Sequence, residues 1–355
     1  MIIVDPDRNP LLWVAYPKGF GCTGKVKAGR ESFMSGKIPS REMTKEFEKN
    51  AARTRKWMKF KAQLPYYVLF LIPLAFFLIF KYWPMFGLAM SFQDYKAGAP
   101  FMGPRTKWVG LKWFEKLFSS PNLGRWVSNT LLLSVYSLVI QFPLSIALAV
   151  LLNEINNKTI KKFTSNVSLL PHFISTVVIV GIMFQLFSVD DGVINFFIEK
   201  LGGSKIDFMG RSEWFRTMYV GSGVWQSTGF EAVVFTAAIA GIDPALYEAA
   251  AMDGSTRFKN ILYITIPCIL PTIITMFLLK IGGLMSSGYE KIILMYSPQT
   301  YETADTLATY SYRAGILDGK LSLSTTIGLF NSVCNLLLLT VSNWLSRKFT
   351  DTSLY

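Results

Sequence analysis

Six apolar stretches of membrane length run along the chain, near residues 64–83, 129–152, 167–187, 217–241, 266–285 and 324–345. A helix needs roughly 20 apolar residues to cross a hydrocarbon core about 30 Å thick, and each stretch meets that length. The pattern predicts an all-α, polytopic membrane protein with six transmembrane helices joined by polar loops. Residues 1–60 read as a cytosolic N-terminal tail, 61–350 as the membrane domain and 351–355 as a short cytosolic C-terminal tail. Residues 1–36 of the tail read as disordered. Their short apolar run Leu11–Val14 is too brief and wrongly flanked for a secretory signal.

The charges between the stretches set the orientation. Arg41, Lys45, Lys49, Arg53, Arg55, Lys56, Lys59 and Lys61 precede the first stretch and outnumber Glu42, Glu46 and Glu48. Such a run stays in the cytosol. By alternation, Lys158, Lys161 and Lys162, then Arg257 and Lys259, then Arg347 and Lys348 fall on the same side, and the C-terminus with them. Lys96, Arg105, Lys107, Lys112, Lys116 and Arg125 fall outside against the trend, but long external segments translocate with little regard to charge. In that external loop Trp83-Pro84 and Phe101 to Pro104 break the helical pattern. Trp108, Val109, Leu111, Trp113, Phe114, Leu117 and Phe118 form an aromatic amphipathic stretch, expected along the membrane surface or as a docking surface for an external partner.

One cytosolic loop, residues 243–261, has too much local design for a plain connector. Asp243 can cap free N–H groups and Pro244 suits the first helical position, where no donor is needed. Strong helix formers fill Ala245 to Met252, Gly254 can end the helix in a left-handed turn, and Ser255 or Thr256 can cap a second helix. Glu248, Ala249, Ala250, Asp253, Gly254, Ile264, Pro267 and Pro271 stand at the spacing of a known motif. The segment resembles the EAA loop of ABC importer membrane subunits, with Ser255 and Ile261 as mild departures. The resemblance implies the type I permease fold and a coupling helix, carried by Glu248 to Gly254, that docks on a separate cytosolic ATPase.

Composition agrees with a membrane protein: 51% hydrophobic and only 17% charged residues, with a mean hydropathy of +0.34. The net charge of +13 sits in loops and tail, so it fits membrane orientation and no nucleic acid is expected as a partner. Catalytic chemistry is not in view. His172 stands alone after Pro171 and reads as an interfacial residue, and Cys22, Cys268 and Cys334 have no metal-ligand spacing. There is no Gly-rich, Lys-containing phosphate loop, so the chain is not expected to be an enzyme or to hold a cofactor or metal. ATP and Mg would belong to the partner ATPase.

Polar residues inside the spans carry the remaining information, because in hydrocarbon they usually face protein or a water-filled path. The fourth span holds Trp225, Gln226, Ser227, Thr228 and Glu231, the fifth Lys280, and the sixth Asn331 and Asn335 on one face. With Tyr289, this mixture offers amides for hydroxyl groups and aromatic faces for C–H groups, as a saccharide requires. Trp225, Gln226, Glu231, Tyr289, Asn331 and Asn335 are therefore the candidates for a substrate path. Hydrogen bonding between helices is the plainer reading, and Glu231 with Lys280 can form an intramembrane ion pair. No basic cluster stands out within the spans, which weakens a phosphate cargo.

Tyr82-Trp83-Pro84-Met85, Ser91 to Tyr95, Val109-Gly110-Leu111, Asn129-Thr130-Leu131 and Ala147 to Asn153 resemble the carbohydrate-uptake branch of these permeases. Pro171 with the run to Phe187 is similar to its polysaccharide and complex-oligosaccharide members. Membership implies a second homologous permease, two cytosolic ATPase subunits, an extracellular solute-binding protein and a saccharide carried by alternating access across the cytoplasmic membrane. An ABC permease for another solute and an ion-gradient-driven transporter are the competing readings.

Overall fold

The structure, a computed structural model, describes residues 41–98, 100–101, 103, 106–286 and 288–350. The tails expected at 1–36 and 351–355 lie outside the described residues, as does part of the break expected at 101–104. Among the described residues the regular structure is helical, apart from one isolated bridge between Gln93 and Trp108. The described residues form two compact units, divided between Met85 and Phe86.

In the first unit, helix α1 (Arg41–Phe77) passes into a π-turn, Leu78–Tyr82. It contains Pro65 and Pro73, each of which removes a hydrogen bond donor and presses on the preceding turn. Lys61 Nζ lies 4.4 Å from the ring centroid of Trp57, joining a charge and an aromatic where basic sequence gives way to apolar sequence. Tyr66 to Ile72 are exposed and leave a continuous apolar surface on this helix. Trp83-Pro84, expected to end the helical pattern, tightens it instead: Trp83–Phe92 is a 3-10 helix, and the first apolar span extends over Phe60–Phe92.

The second unit contains α2 (Lys112–Phe118), α3 (Leu123–Glu154), α4 (Lys158–Leu169), α5 (Thr176–Leu186), α6 (Val193–Lys200) and α7 (Ser212–Ala240). It continues with α8 (Pro244–Met252), α9 (Arg257–Asn260), α10 (Ile266–Gly282), α11 (Tyr289–Met295), α12 (Tyr301–Ala304), α13 (Leu307–Tyr312) and α14 (Leu321–Thr350). Among the described residues, four segments are each long and apolar enough to span a membrane, and two bent pairs, α4–α5 and α7–α8, bring the number to six if each pair is one span.

Helices α3 and α7 run side by side in the same direction. Asn129 meets Arg216 near their starts, Gln141 meets Glu231 midway, and Phe142 and Ala149 share a core with Phe235 and Ile239. Helix α10 runs the other way, since Ile269 near its start joins that last core and Lys280 near its end reaches Glu231.

The third span is the main departure from expectation. The apolar run 167–187 is not one straight helix: α4 and α5 meet at 97° across the 3-10 turn Leu170–Phe173 and the cap Ser175. Pro171 lacks the donor to continue a helix, and the Ser175 side chain accepts from Val178 N to start a new one. Close packing fixes the bend. A Cβ on Gly229 of α7 would lie 1.9 Å from the Ser168 carbonyl oxygen, so only glycine permits this approach. His172, in the break, stacks on Phe230 with ring centroids 3.9 Å apart.

The aromatic stretch at 108–118 is also only partly a surface element. Trp113 and Leu117 of α2 are buried with Trp126, Leu307 and Ile327, and the Trp113 indole donates to the Gln93 carbonyl at 2.9 Å. Trp108, Leu111 and Phe118 remain exposed.

At the end of the bundle away from α8, Asp305 is the organising group, 2% exposed. Its carboxylate accepts from the Trp126 indole at 2.7 Å, Arg313 at 2.8 Å and the Thr309 hydroxyl at 2.8 Å. Burial acts to lower the Arg313 pKa, but the hydrogen bond and charge of Asp305 outweigh it and hold the guanidinium well above its ordinary value. Tyr310 stacks on Trp126 at 3.7 Å and closes the cluster. Replacing Asp305 by Ala leaves Arg313 and the indole without their acceptor, and is expected to cost about 3–5 kcal/mol. A lowered unfolding midpoint in detergent is the check.

Candidate functional site

A cavity of about 330 Å³ opens between α3, α7 and the end of α10. Helix α3 supplies Ser134, Ser137, Leu138 and Gln141; α7 supplies Tyr219, Gly223, Gln226 and Ser227; Lys280, Leu284, Gly288 and Lys291 complete the wall. The lining is polar for a reason visible in each helix: Ser134, Ser137 and Gln141 recur at three- and four-residue spacing, as do Tyr219, Gly223, Gln226 and Ser227, so each set occupies one face. A second cavity, about 340 Å³, lies at the end of α5, between Phe184, Phe187, Asp207 and the turn Met295 to Gln299.

Glu231 is not part of the first cavity's lining, but it holds two residues that are, Lys280 and Gln141. Lys280 Nζ lies 2.6 Å from its Oε1, Gln141 Nε2 donates to the same oxygen at 2.5 Å, and the Ser145 hydroxyl donates to Oε2 at 3.0 Å. The ion pair foreseen for Glu231 and Lys280 is therefore present, and it draws α3 into the contact. Ser134 donates to the Leu284 carbonyl, tying α3 to the turn that follows α10.

Lys291 has a different environment. It is 7% exposed, donates to the Tyr219 carbonyl at 3.3 Å, and lies 5.2 Å from the Tyr219 ring centroid. Gly288 makes this placement possible with φ of +58°, since a Cβ there would fall 1.9 Å from the Tyr219 hydroxyl. Two lysines thus reach one cavity, one of them from within a span. Lys280 belongs to the fifth span, but Lys291 lies beyond it and is folded back against α7.

The other path candidates are distributed differently. Gln226 lines the cavity and donates to the Ile174 carbonyl at 3.4 Å. Asn335 is occupied at the turn after α10, accepting from Met285 N at 2.9 Å and donating to the Ser286 hydroxyl at 2.7 Å. Asn331 Oδ1 is buried without a hydrogen-bond partner among the described residues. Trp225 is half exposed and outside the lining, and Tyr289 faces Tyr312 at 6.5 Å. Ser134, Ser137, Gln141, Tyr219 and Lys291 were missed by the sequence reading. The serine and glutamine spacing along α3 was the available signal.

At the other end of α7 the chain turns by 70° into α8. Asp243 accepts from Ala245 N at 2.9 Å as the cap, and Pro244 takes the first position. Gly254 adopts φ of +71°. Ser255 N donates to the Ala250 carbonyl at 2.9 Å and Gly254 N to Ala251 at 3.1 Å, the bonding of a left-handed C-terminal cap. Thr256 then accepts from Lys259 N at 3.5 Å to start α9. The Tyr247 hydroxyl meets the Thr265 hydroxyl at 2.9 Å and braces α8 against the chain leading into α10. Glu248, Ala249, Asp253 and Gly254 are exposed and Ala250 is half-buried. Met252 is 90% and Phe258 73% exposed, so the elbow presents both apolar and acidic groups.

Apolar bent helices around a polar cavity, with a capped elbow at one end, describe the membrane-spanning component of a transport system. Residues 141–351 match the binding-protein-dependent transport system inner membrane component, and the chain belongs to that family. It is similar to the polygalacturonan/rhamnogalacturonan transport system permease protein YteP of Bacillus subtilis (strain 168), 39% identical over 308 residues, which cover 86% of this chain and 95% of that protein. Protein LplB of the same organism is 39% identical over 307 residues, covering 86% and 96%. Among solved structures, a bacterial ABC transporter for import of the acidic polysaccharide alginate has a chain 39% identical, with a TM-score of 0.75, covering 83% of this chain and 99% of that one. The alginate transporter in complex with an alginate pentasaccharide-bound periplasmic protein gives a TM-score of 0.77, covering 84% and 100%.

Removing only one partner of the part-buried Glu231–Lys280 pair strands the other, whereas removing both does not. Glu231→Ala alone is expected to be more destabilising than Glu231→Ala with Lys280→Ala. The coupling should be about 1–3 kcal/mol in a double-mutant cycle read by unfolding in detergent.

Proposed function

We propose that this chain is the membrane-spanning permease subunit of an ATP-driven importer that carries an oligosaccharide, in particular a carboxylate-bearing one, across the cytoplasmic membrane. The observation that carries the reading is the cavity framed by α3, α7 and α10. Its serine hydroxyls, glutamine amides and lysines suit a ligand rich in hydroxyl groups, and Tyr219 adds an aromatic surface. The similar proteins named for polygalacturonan, rhamnogalacturonan and alginate support the same cargo class.

The working assembly would pair this chain with a second homologous permease, two ATPase subunits holding ATP and Mg, and an external saccharide-binding protein. Both termini and the elbow would lie in the cytosol. Glu248, Ala249, Ala250, Asp253 and Gly254 would form the contact with the ATPase: the small residues let a partner surface approach closely, and the acid offers a counter-charge. An ion-gradient mechanism has less support, because Glu231, the acid such a mechanism would use, is tied to Lys280, Gln141 and Ser145.

Purification with its partner subunits and reconstitution in lipid tests the reading. Saccharide-loaded binding protein is expected to stimulate ATP hydrolysis, and Glu248→Lys to abolish the stimulation. An assembly without ATPase, or stimulation untouched by the charge reversal, would remove the coupling role.

A further inference from the structure

We propose that Lys291 and Gln141 form a carboxylate-reading subsite within the cavity, and that Lys291, rather than Lys280, separates acidic saccharides from neutral ones. The proposal rests on the transport reading above and assigns its selectivity to one side chain.

The two lysines differ in what already holds them. The charge of Lys280 is matched by Glu231 at 2.6 Å, and that carboxylate is further held by Gln141 and Ser145. Lys291 has no carboxylate within 4.0 Å among the described residues. It donates to one carbonyl, at 3.3 Å, and lies over one ring face. An ammonium has three donors and is costly to bury without a counter-charge. Here burial leaves an uncancelled positive charge on the wall of a cavity large enough for a ligand.

Gly223 shows where the ligand would lie. A Cβ added there would be 3.8 Å from Lys291 Nζ and 3.8 Å from Gln141 Oε1, so the amine and the amide oxygen flank one gap kept open by a missing side chain. Gln141 spends its Nε2 on Glu231 and keeps Oε1 as an acceptor. A sugar carboxylate would accept from Lys291 while a hydroxyl of the same or the neighbouring sugar donates to Gln141. Charge-assisted hydrogen bonds of this kind are stronger than neutral ones. A neutral sugar would leave the ammonium unmatched.

The test uses the reconstituted importer with its own binding protein and two probes, a tetragalacturonate and its fully methyl-esterified form, with uptake measured for each. Wild type should favour the acid, and Lys291→Gln should lower the acid-to-ester uptake ratio by about tenfold or more. Lys291→Arg, which keeps the charge, should hold the ratio nearer wild type. An equal loss for both probes in Lys291→Gln, or an unchanged ratio, would overturn the proposal. If Lys291→Gln does not assemble, Gly223→Ala examines the same gap: it should raise the half-saturating concentration of the acid probe, and no change there would equally overturn it. Failure of the wild type to take up either probe, with no saccharide stimulating ATP hydrolysis, would instead count against the transport reading itself.

Discussion

A carboxylate inside an apolar helix must find partners, and Glu231 finds them on two other helices. Lys280 answers its charge from α10, and Gln141 and Ser145 answer its remaining lone pairs from α3. Because each contact is directional, the acid fixes rotation as well as distance. With Gln141 turned toward Glu231, Ser134 and Ser137 on the same stripe of α3 are turned toward the cavity. The polarity of the cavity and the pairing of the acid are two results of one helix orientation.

Asp305 plays a corresponding part at the far end of the unit, where Trp126, Thr309 and Arg313 converge on it and the Asn129 amide donates to its backbone carbonyl. Apolar packing fills the space around these two anchors. Phe142, Phe235 and Ile269 pack toward the elbow end, and Leu133, Met218 and Ile292 toward the other. Dispersion and burial are not directional, so they favour compactness without choosing among helix rotations. Directional contacts make that choice, those of the two acids prominent among them.

Legibility from sequence followed the range of each interaction. The elbow could be read almost residue by residue, because Asp243, Pro244, Gly254 and Thr256 act on their own neighbours in the chain. Span lengths were legible because the bilayer sets them. The bend at Pro171 was not: an apolar run continues through it, and the close approach of Ser168 to Gly229 that holds it joins residues far apart in sequence. Lys291 was hidden for a similar reason. A lysine after a span is ordinary in sequence, and its burial is created by Tyr219, which lies 72 residues earlier. The indole contact of Trp126 with Asp305 bridges 179 residues and leaves no local trace.

Helix α9, the π-turn Ile261–Thr265 and α10 follow one another without a gap from Arg257 to Gly282. The elbow's second half and Lys280 are therefore two ends of one rod, about 35 Å apart at 1.5 Å per residue. A rod carries a push along its length but yields where its coil is widened, and here that place is the π-turn beside the Tyr247–Thr265 contact. Lys280 at the far end of the rod meets Glu231, which belongs to a different helix. The elbow's second half and a charged group of the cavity wall are in this way parts of the same continuous piece of backbone.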